Sequence, residues 1–185
     1  MRTLVYPMSV SLDGFIAGPS GDISWTAPDP EQMRFHLEQV REVSTELMGR
    51  RLYEDMLVWE GGEGMPTDPE SLEWGTLWRA MPKIVFSTTL TEVRGNARLA
   101  TSDVASEVAR LKEQPGEGVV AVGGAGLAAS LINLDLIDEY RMLVRPVLVG
   151  RGTPYFPPLG QQVPLELAET RRFSSGVEYL RYRRG

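Results

Sequence analysis

The 185-residue chain has no cysteine and a single histidine, His36. Disulfides, thiolate nucleophiles and Cys-based zinc sites are therefore excluded, as is any metal or acid–base centre that needs two histidines. The missing cysteine is compatible with a reducing, cytoplasmic setting. An excess of basic charge is also missing. Nineteen Lys and Arg stand against 25 Asp and Glu, a net charge of -6, whereas a dedicated nucleic-acid binder usually carries a basic face. No apolar run approaches the roughly 20 residues that span a bilayer. The opening MRTLVYPMSV has no long apolar segment and no small-residue cleavage site, so neither a membrane span nor a signal peptide is expected. There is no repeat, no low-complexity tract and no linker long enough to divide the chain, and one domain over residues 1–185 is expected.

Apolar and turn-forming segments alternate along the chain. Thr3–Val10 reads as a buried strand, with Pro7 arguing for an edge or a bulge. Asp29–Val43 reads as a helix capped by Asp29, with Pro30 at its first position and Met33, Leu37 and Val40 on one face. TELMGRR ends a strand, RLYEDMLVW is a short helix, EGGEGMPTDPE a loop and ESLEWGTLWRAM a helix weakened by Gly75. A strand over Lys83–Phe86 and a short one at ARLA precede an amphipathic helix capped by Ser102 or Asp103, with Val104, Val108 and Leu111 inward. VVAVGGAGLAASLI gives strand, glycine turn and helix; EYRMLVRPVLVG is a long strand, and two more strands meet at Ser174–Gly176. Strands alternating with helices, then strands alone, predict a mainly parallel sheet with an antiparallel C-terminal edge.

Three strand ends carry chemistry. At Gly123-Gly124-Ala125-Gly126 small residues open a helix N-terminus, where backbone amides and the helix dipole favour phosphate. A tight strand-to-helix connection explains the same glycines, and the spacing is not GxGxxG. In MGRRLYEDM, Arg50 and Arg51 offer forked donors at a helix start, or are two solvated surface arginines. In FSTT, Ser87 and Thr88 bring hydroxyls to a strand end, or make an ordinary turn. Open α/β sheets bind ligands at strand C-termini, so the three together favour a phosphate-rich cofactor.

SLDGFIAG, MGRRLYEDM and the stretch from VVAVGGAG through PVLVGRGTPYF, in this order, resemble the RibD C-terminal reductase family of the dihydrofolate-reductase-like fold. The resemblance implies a three-layer α/β fold with a central mixed sheet of about eight strands, an NADPH cofactor, a homodimer, and hydride transfer to a small heterocyclic or carbonyl substrate, as in the riboflavin-pathway reductases. By position it implies Ala17 and Gly18 near the nicotinamide and Gly49, Arg50 and Arg51 at the adenosine phosphates, Arg50 first for the 2′-phosphate. It further implies Ser87 and Thr88 at the adenine ribose, and Gly123, Gly124, Ala125, Gly126 and Leu127 around the pyrophosphate.

The substrate side is thinner. A dihydrofolate reductase carries a buried acid on its first long helix; Glu31 stands near that place with one residue of slippage, and Gln32 occupies it in the other register. Glu31 is also an ordinary first-turn glutamate, and Asp13 an ordinary Asp-Gly turn residue. Trp25 and Trp59 are candidates to stack on a planar substrate, while Trp74 and Trp78 read as packing. No metal site is expected. Dihydrofolate reductase activity and a non-catalytic NADPH-binding protein are the competing readings. The C-terminal arginines 171, 172, 181, 183 and 184 read as charges that blunt exposed strand edges.

Overall fold

Strands that are apolar on both faces need cover on both, and the helices provide it. The computed structural model describes residues 1–61, 64 and 66–185, so part of the Glu60–Glu70 loop lies outside the described residues. In chain order the elements are β1 (Leu4–Ser11), β2 (Phe15–Ala17), α1 (Pro30–Arg41), β3 (Val43–Gly49), α2 (Arg50–Met56), α3 (Pro69–Ala80), β4 (Lys83–Phe86), β5 (Ala97–Leu99), α4 (Val104–Glu113), β6 (Val119–Gly123), α5 (Ala125–Asn133), β7 (Glu139–Arg145), β8 (Thr153–Pro154), β9 (Leu165–Arg172) and β10 (Glu178–Arg184). Eight strands form one sheet in the order β5-β4-β3-β6-β1-β7-β10-β9, and β2 and β8 form a separate two-stranded ribbon. The first six strands of the sheet run parallel, and β10 and β9 are antiparallel.

Alternation along the strands divides the core between two faces. Leu4, Tyr6 and Val10 of β1, Leu47, Ile84 and Val122 pack with Val108 and Leu111 of α4 and Ala128, Leu131 and Ile132 of α5. Met48 and Val85 face the other way, onto Tyr53 of α2 and Trp78 of α3, and Phe35 of α1 meets Leu143, Phe173 and Tyr179 further along that face. The result is three layers. No helix among the described residues is long and apolar enough to cross a membrane.

Some positions differ from expectation, each for a physical reason. Pro7 lies in a central strand, not at an edge. β1 pairs with β6 only at Leu4 and Val5, so the proline stands beyond the end of that ladder. The same early end leaves Val122 and Gly123 of β6 unpaired with β1, so the ladder between these two central strands is open toward that end. On α1 the buried residues are Gln32, Phe35 and Leu37, with Met33 and Val40 only partly covered. Of the C-terminal arginines, only Arg171 and Arg172 lie on the edge strand β9. Arg181, Arg183 and Arg184 belong to β10, inside the sheet, where each meets a carboxylate: Glu169, Glu139 and Asp135.

Candidate active site

Parallel pairing brings Ser11, Gly49, Phe86, Leu99, Gly123 and Arg145, the last residues of their strands, to one end of the sheet. SLDGFIAG turns there. Gly14, at φ 91°, closes the turn through Gly14 N–H to Ser11 O. The Ser11 hydroxyl donates to Asp13 at 2.6 Å and accepts from Phe15 N–H. Asp13 takes the N–H groups of Val149 and Gly150 at 3.1 and 2.6 Å, and these bonds, led by that from Ser11, hold its carboxyl below the usual range. Asp13 is thus a latch between two loops. Ala17 runs against β8, and Gly152 at φ 148° has no room for a side chain because the Ala17 carbonyl occupies it. Gly18 donates to Asp22 O.

Two helices begin at these strand ends, and both begin on glycine. Helices α1, α3 and α4 are capped by Asp29, Asp68 and Asp103, each accepting a first-turn N–H. By contrast α2 and α5 start at Gly49 and Gly124 with no side-chain cap. Their first-turn amides keep the donors that a cap consumes elsewhere. Gly124 needs glycine for its φ of 87°. Gly123 needs it for packing: a Cβ there would collide with Leu52 of α2 and lie 2.8 Å from Glu46 Oε1. The tight-connection reading thus accounts for Gly124 through its φ, and close packing accounts for Gly123.

Beside α2 an open cleft of about 520 Å³ is lined by Arg50, Phe86, Ser87, Thr88, Thr89, Ala100 and Ser102. Arg50 donates to Glu54 at 3.2 Å while exposed, a pair worth only about 0.3–0.5 kcal/mol and readily exchanged. Ser87 Oγ accepts from Thr89 and Leu90 N–H, so part of its capacity makes the turn. Arg51 is exposed and lines neither this cleft nor the next.

At the far side of β1, a cleft of about 280 Å³ is lined by Trp25, Ala27, Asp29, Gln32, Arg145, Pro146, Val147, Ser175 and Val177. Its organiser is Arg145, only 5 % exposed. It donates to Gln32 Oε1 at 2.6 Å, to Thr26 O at 2.6 Å, to Ala27 O and weakly to Ser9 Oγ, all uncharged oxygens. Burial pushes this guanidinium below its usual range, with Asp29 pulling the other way. Gln32 in turn donates to Asp29 Oδ2 and Ser175 Oγ, which sets its amide orientation. Trp25 donates from its ring to Asp22 O and lines the cleft.

Gln32 therefore stands where an acid was considered. Glu31 points elsewhere, taking Ser174 N–H and hydroxyl at 3.1 and 2.9 Å with Arg171 nearby. Its carboxyl is held low by those Ser174 bonds, and Asp29's by the N–H of Gln32. No described residue of the cleft offers a protonated carboxylic acid at neutral pH. Trp59 is removed from this cleft as well: it packs on Trp74, which stacks on Trp78 at 5.1 Å. Arg145, Gln32 and Ser175 as cleft residues escaped the sequence reading, and Asp29 was read as a cap alone. Arg145 closes a strand of mixed charged and apolar residues, a pattern that does not by itself separate it from a solvated arginine.

This architecture, with its opened central strands and two clefts at one sheet end, defines a dihydrofolate-reductase-like α/β protein. The chain belongs to the family of the RibD C-terminal domain, whose model matches residues 2–179. It is 34 % identical over 184 residues to the Bacillus subtilis (strain 168) protein YyaP, covering 98 % of this chain and 94 % of that one. Among solved structures it superposes on a Shewanella sp. PV-4 protein assigned provisionally to riboflavin biosynthesis, with TM-score 0.76, 24 % identity and coverage of 100 and 99 %. It also superposes on Enterococcus faecalis dihydrofolate reductase complexed with NADP(H), with TM-score 0.66, 19 % identity and coverage of 99 and 96 %.

Proposed function

We propose that the protein is an NADPH-dependent reductase of a small heterocyclic or carbonyl substrate. The observation that carries this reading is the pair of helices, α2 and α5, that start on uncapped glycines at adjoining strand ends, with Arg50 and four hydroxyl residues lining the cleft beside β4 and α2. The donor set suits a dinucleotide: amides of Ala125, Gly126 and Leu127 for a pyrophosphate, Arg50 with Ser87 and Thr88 for an adenosine phosphate. By the family resemblance Ala17 and Gly18 would lie beside the nicotinamide, and Trp25, Asp29, Gln32 and Ser175 of the second cleft would receive the substrate.

When bound, the cofactor supplies a hydride at its nicotinamide ring. The chain's own residues orient the two partners. Arg145 ties Thr26 and Ala27, which directly follow Trp25, to Gln32 of α1 and so shapes the substrate cleft. Asp13 fixes the loop after β7 against the turn after β1, keeping both walls of the site in register.

Titrating NADPH and NADH into the protein, followed by fluorescence or thermal shift, tests the reading. Arg50→Ala is expected to weaken NADPH about tenfold while changing NADH by less than twofold. Equal losses would remove Arg50 from the 2′-phosphate, and no binding of either dinucleotide would remove the cofactor.

A further inference from the structure

Among the described residues, Glu46 is the carboxyl set directly behind the glycine turn. It sits on β3, opposite Ala121 of β6 and Lys83 of β4 in the ladder, on the face covered by α1–α3. Its carboxylate occupies the space that Gly123 leaves by having no side chain, Oε1 lying 2.8 Å from where that Cβ would stand, beside Leu52 of α2. The residue is partly buried. No described residue donates a hydrogen bond to it.

The neighbours do not neutralise it. Lys83 of β4 faces it, but the Lys83 ammonium is spent on Trp78 O at 2.6 Å, Met81 O at 3.2 Å, the Trp78 ring and Glu60 Oε1 at 3.0 Å. Among the described residues, Glu60, from the 3-10 turn Leu57–Glu60, is the other acid on that lysine. The buried part of α2 brings Leu52 and Tyr53, whose hydroxyl accepts from Arg94 N–H; Arg50 and Arg51 at its start are exposed. From β6 come Ala121 and Gly123, and α5 contains no titratable side chain. Burial consequently raises the Glu46 carboxyl to about 8, with Lys83 lowering it by a smaller amount.

An anion on the Gly124–Leu127 amides would lie across the turn from this carboxyl, in surroundings of low dielectric where like charges repel strongly. We propose that dinucleotide binding at the glycine turn is coupled to a proton on Glu46: the pyrophosphate is held with Glu46 neutral, and affinity falls as Glu46 ionises. The coupling rests on the cofactor reading above and assigns Glu46 an electrostatic role at that site. It acts through the turn without touching the ligand.

The test is isothermal titration of NADPH into wild type and Glu46→Gln from pH 7 to 9.5, in buffers of differing ionisation heat. Above pH 7 the ligand's own phosphates no longer titrate appreciably. Wild type is expected to bind about tenfold more weakly at pH 9 than at pH 7, and to take up roughly half a proton per cofactor near pH 8. Glu46→Gln is expected to match wild type at pH 7, hold its affinity within about twofold across the range, and take up no proton. The same pH slope in the variant, or no proton uptake in wild type, overturns the coupling while leaving NADPH binding in place. Absence of NADPH binding at pH 7 overturns the cofactor reading and the coupling together. Should the variant not fold, the proton count in wild type still decides.

Discussion

Arg145 shows how much one buried side chain organises. Its guanidinium is surrounded by neutral oxygens from three segments, the turn at Thr26–Ala27, the helix residue Gln32 and, weakly, Ser9 of β1. A lysine cannot reproduce that fork, because a single ammonium reaches fewer acceptors in a fixed plane. Arg145→Lys is expected to lower stability by about 2–3 kcal/mol in urea unfolding, with Gln32 and two carbonyls left partly unsatisfied. Trp25 should also become more open to acrylamide quenching. A change below about 0.5 kcal/mol would show that the clamp contributes nothing. This residue was not legible in the sequence for a simple reason: most arginines are solvated, and nothing local to RPV in the chain reveals that β7 ends facing α1. Asp13 was legible as a turn residue, since its bond to Ser11 is local, but its hold on Val149 and Gly150 spans 137 positions and is set by the sheet order.

At the level of elements, the glycine starts of α2 and α5 forgo the side-chain caps of the other helices, as the proposed dinucleotide site requires. Gly49 has extended backbone angles, φ -81° and ψ 167°, and a Cβ there would meet nothing within 4 Å. An aspartate therefore fits, and it would cap α2 as Asp29, Asp68 and Asp103 cap α1, α3 and α4. Gly49→Asp is expected to raise stability by about 0.5–1 kcal/mol, a few tenths from the cap and the rest from the freedom glycine gives the unfolded chain. It should also weaken NADPH at least tenfold, because the new carboxylate takes the amides and repels the phosphate. Stabilisation with unchanged affinity would separate the α2 start from the cofactor. The elements themselves were readable. Lys83–Phe86 falls on β4 as expected, and Asp103 is the cap of α4. The α1 face was not, because Gln32 is polar and its burial is compensated by Asp29, Ser175 and Arg145, partners distant in sequence except the first. Trp59 is open in the sequence for a similar reason: aromatics next to a loop suit a ligand wall or a packed ladder equally, and only the crossing of the 57–60 turn over α3 selects the ladder with Trp74 and Trp78.

For the whole molecule, two partly buried groups on the α1–α3 side pull stability in opposite directions with pH. Burial, reinforced by the Arg145 charge, lowers His36 to about 4, against 6.5 when unfolded. The unfolded chain then binds the extra proton, so this contribution is fully present above pH 6.5 and is lost as pH falls toward 4. Glu46 is raised from 4.5 to about 8. Here the folded chain holds the extra proton, so its contribution is greatest below pH 4.5 and is lost as pH rises to 8. Between pH 4.5 and 6.5 each differs by up to one proton between the two states, with opposite sign, and the slopes offset. Above 6.5 only Glu46 remains active. Chemical unfolding of the wild type is therefore expected to give a nearly level stability from pH 5 to 6.5 and a decline from 6.5 to 8. Glu46→Gln should leave the His36 rise exposed and abolish the decline, while His36→Phe should extend the decline down toward pH 5. A wild-type decline that survives in Glu46→Gln would assign it to another group and would leave the carboxyl behind the glycine turn already ionised at neutral pH.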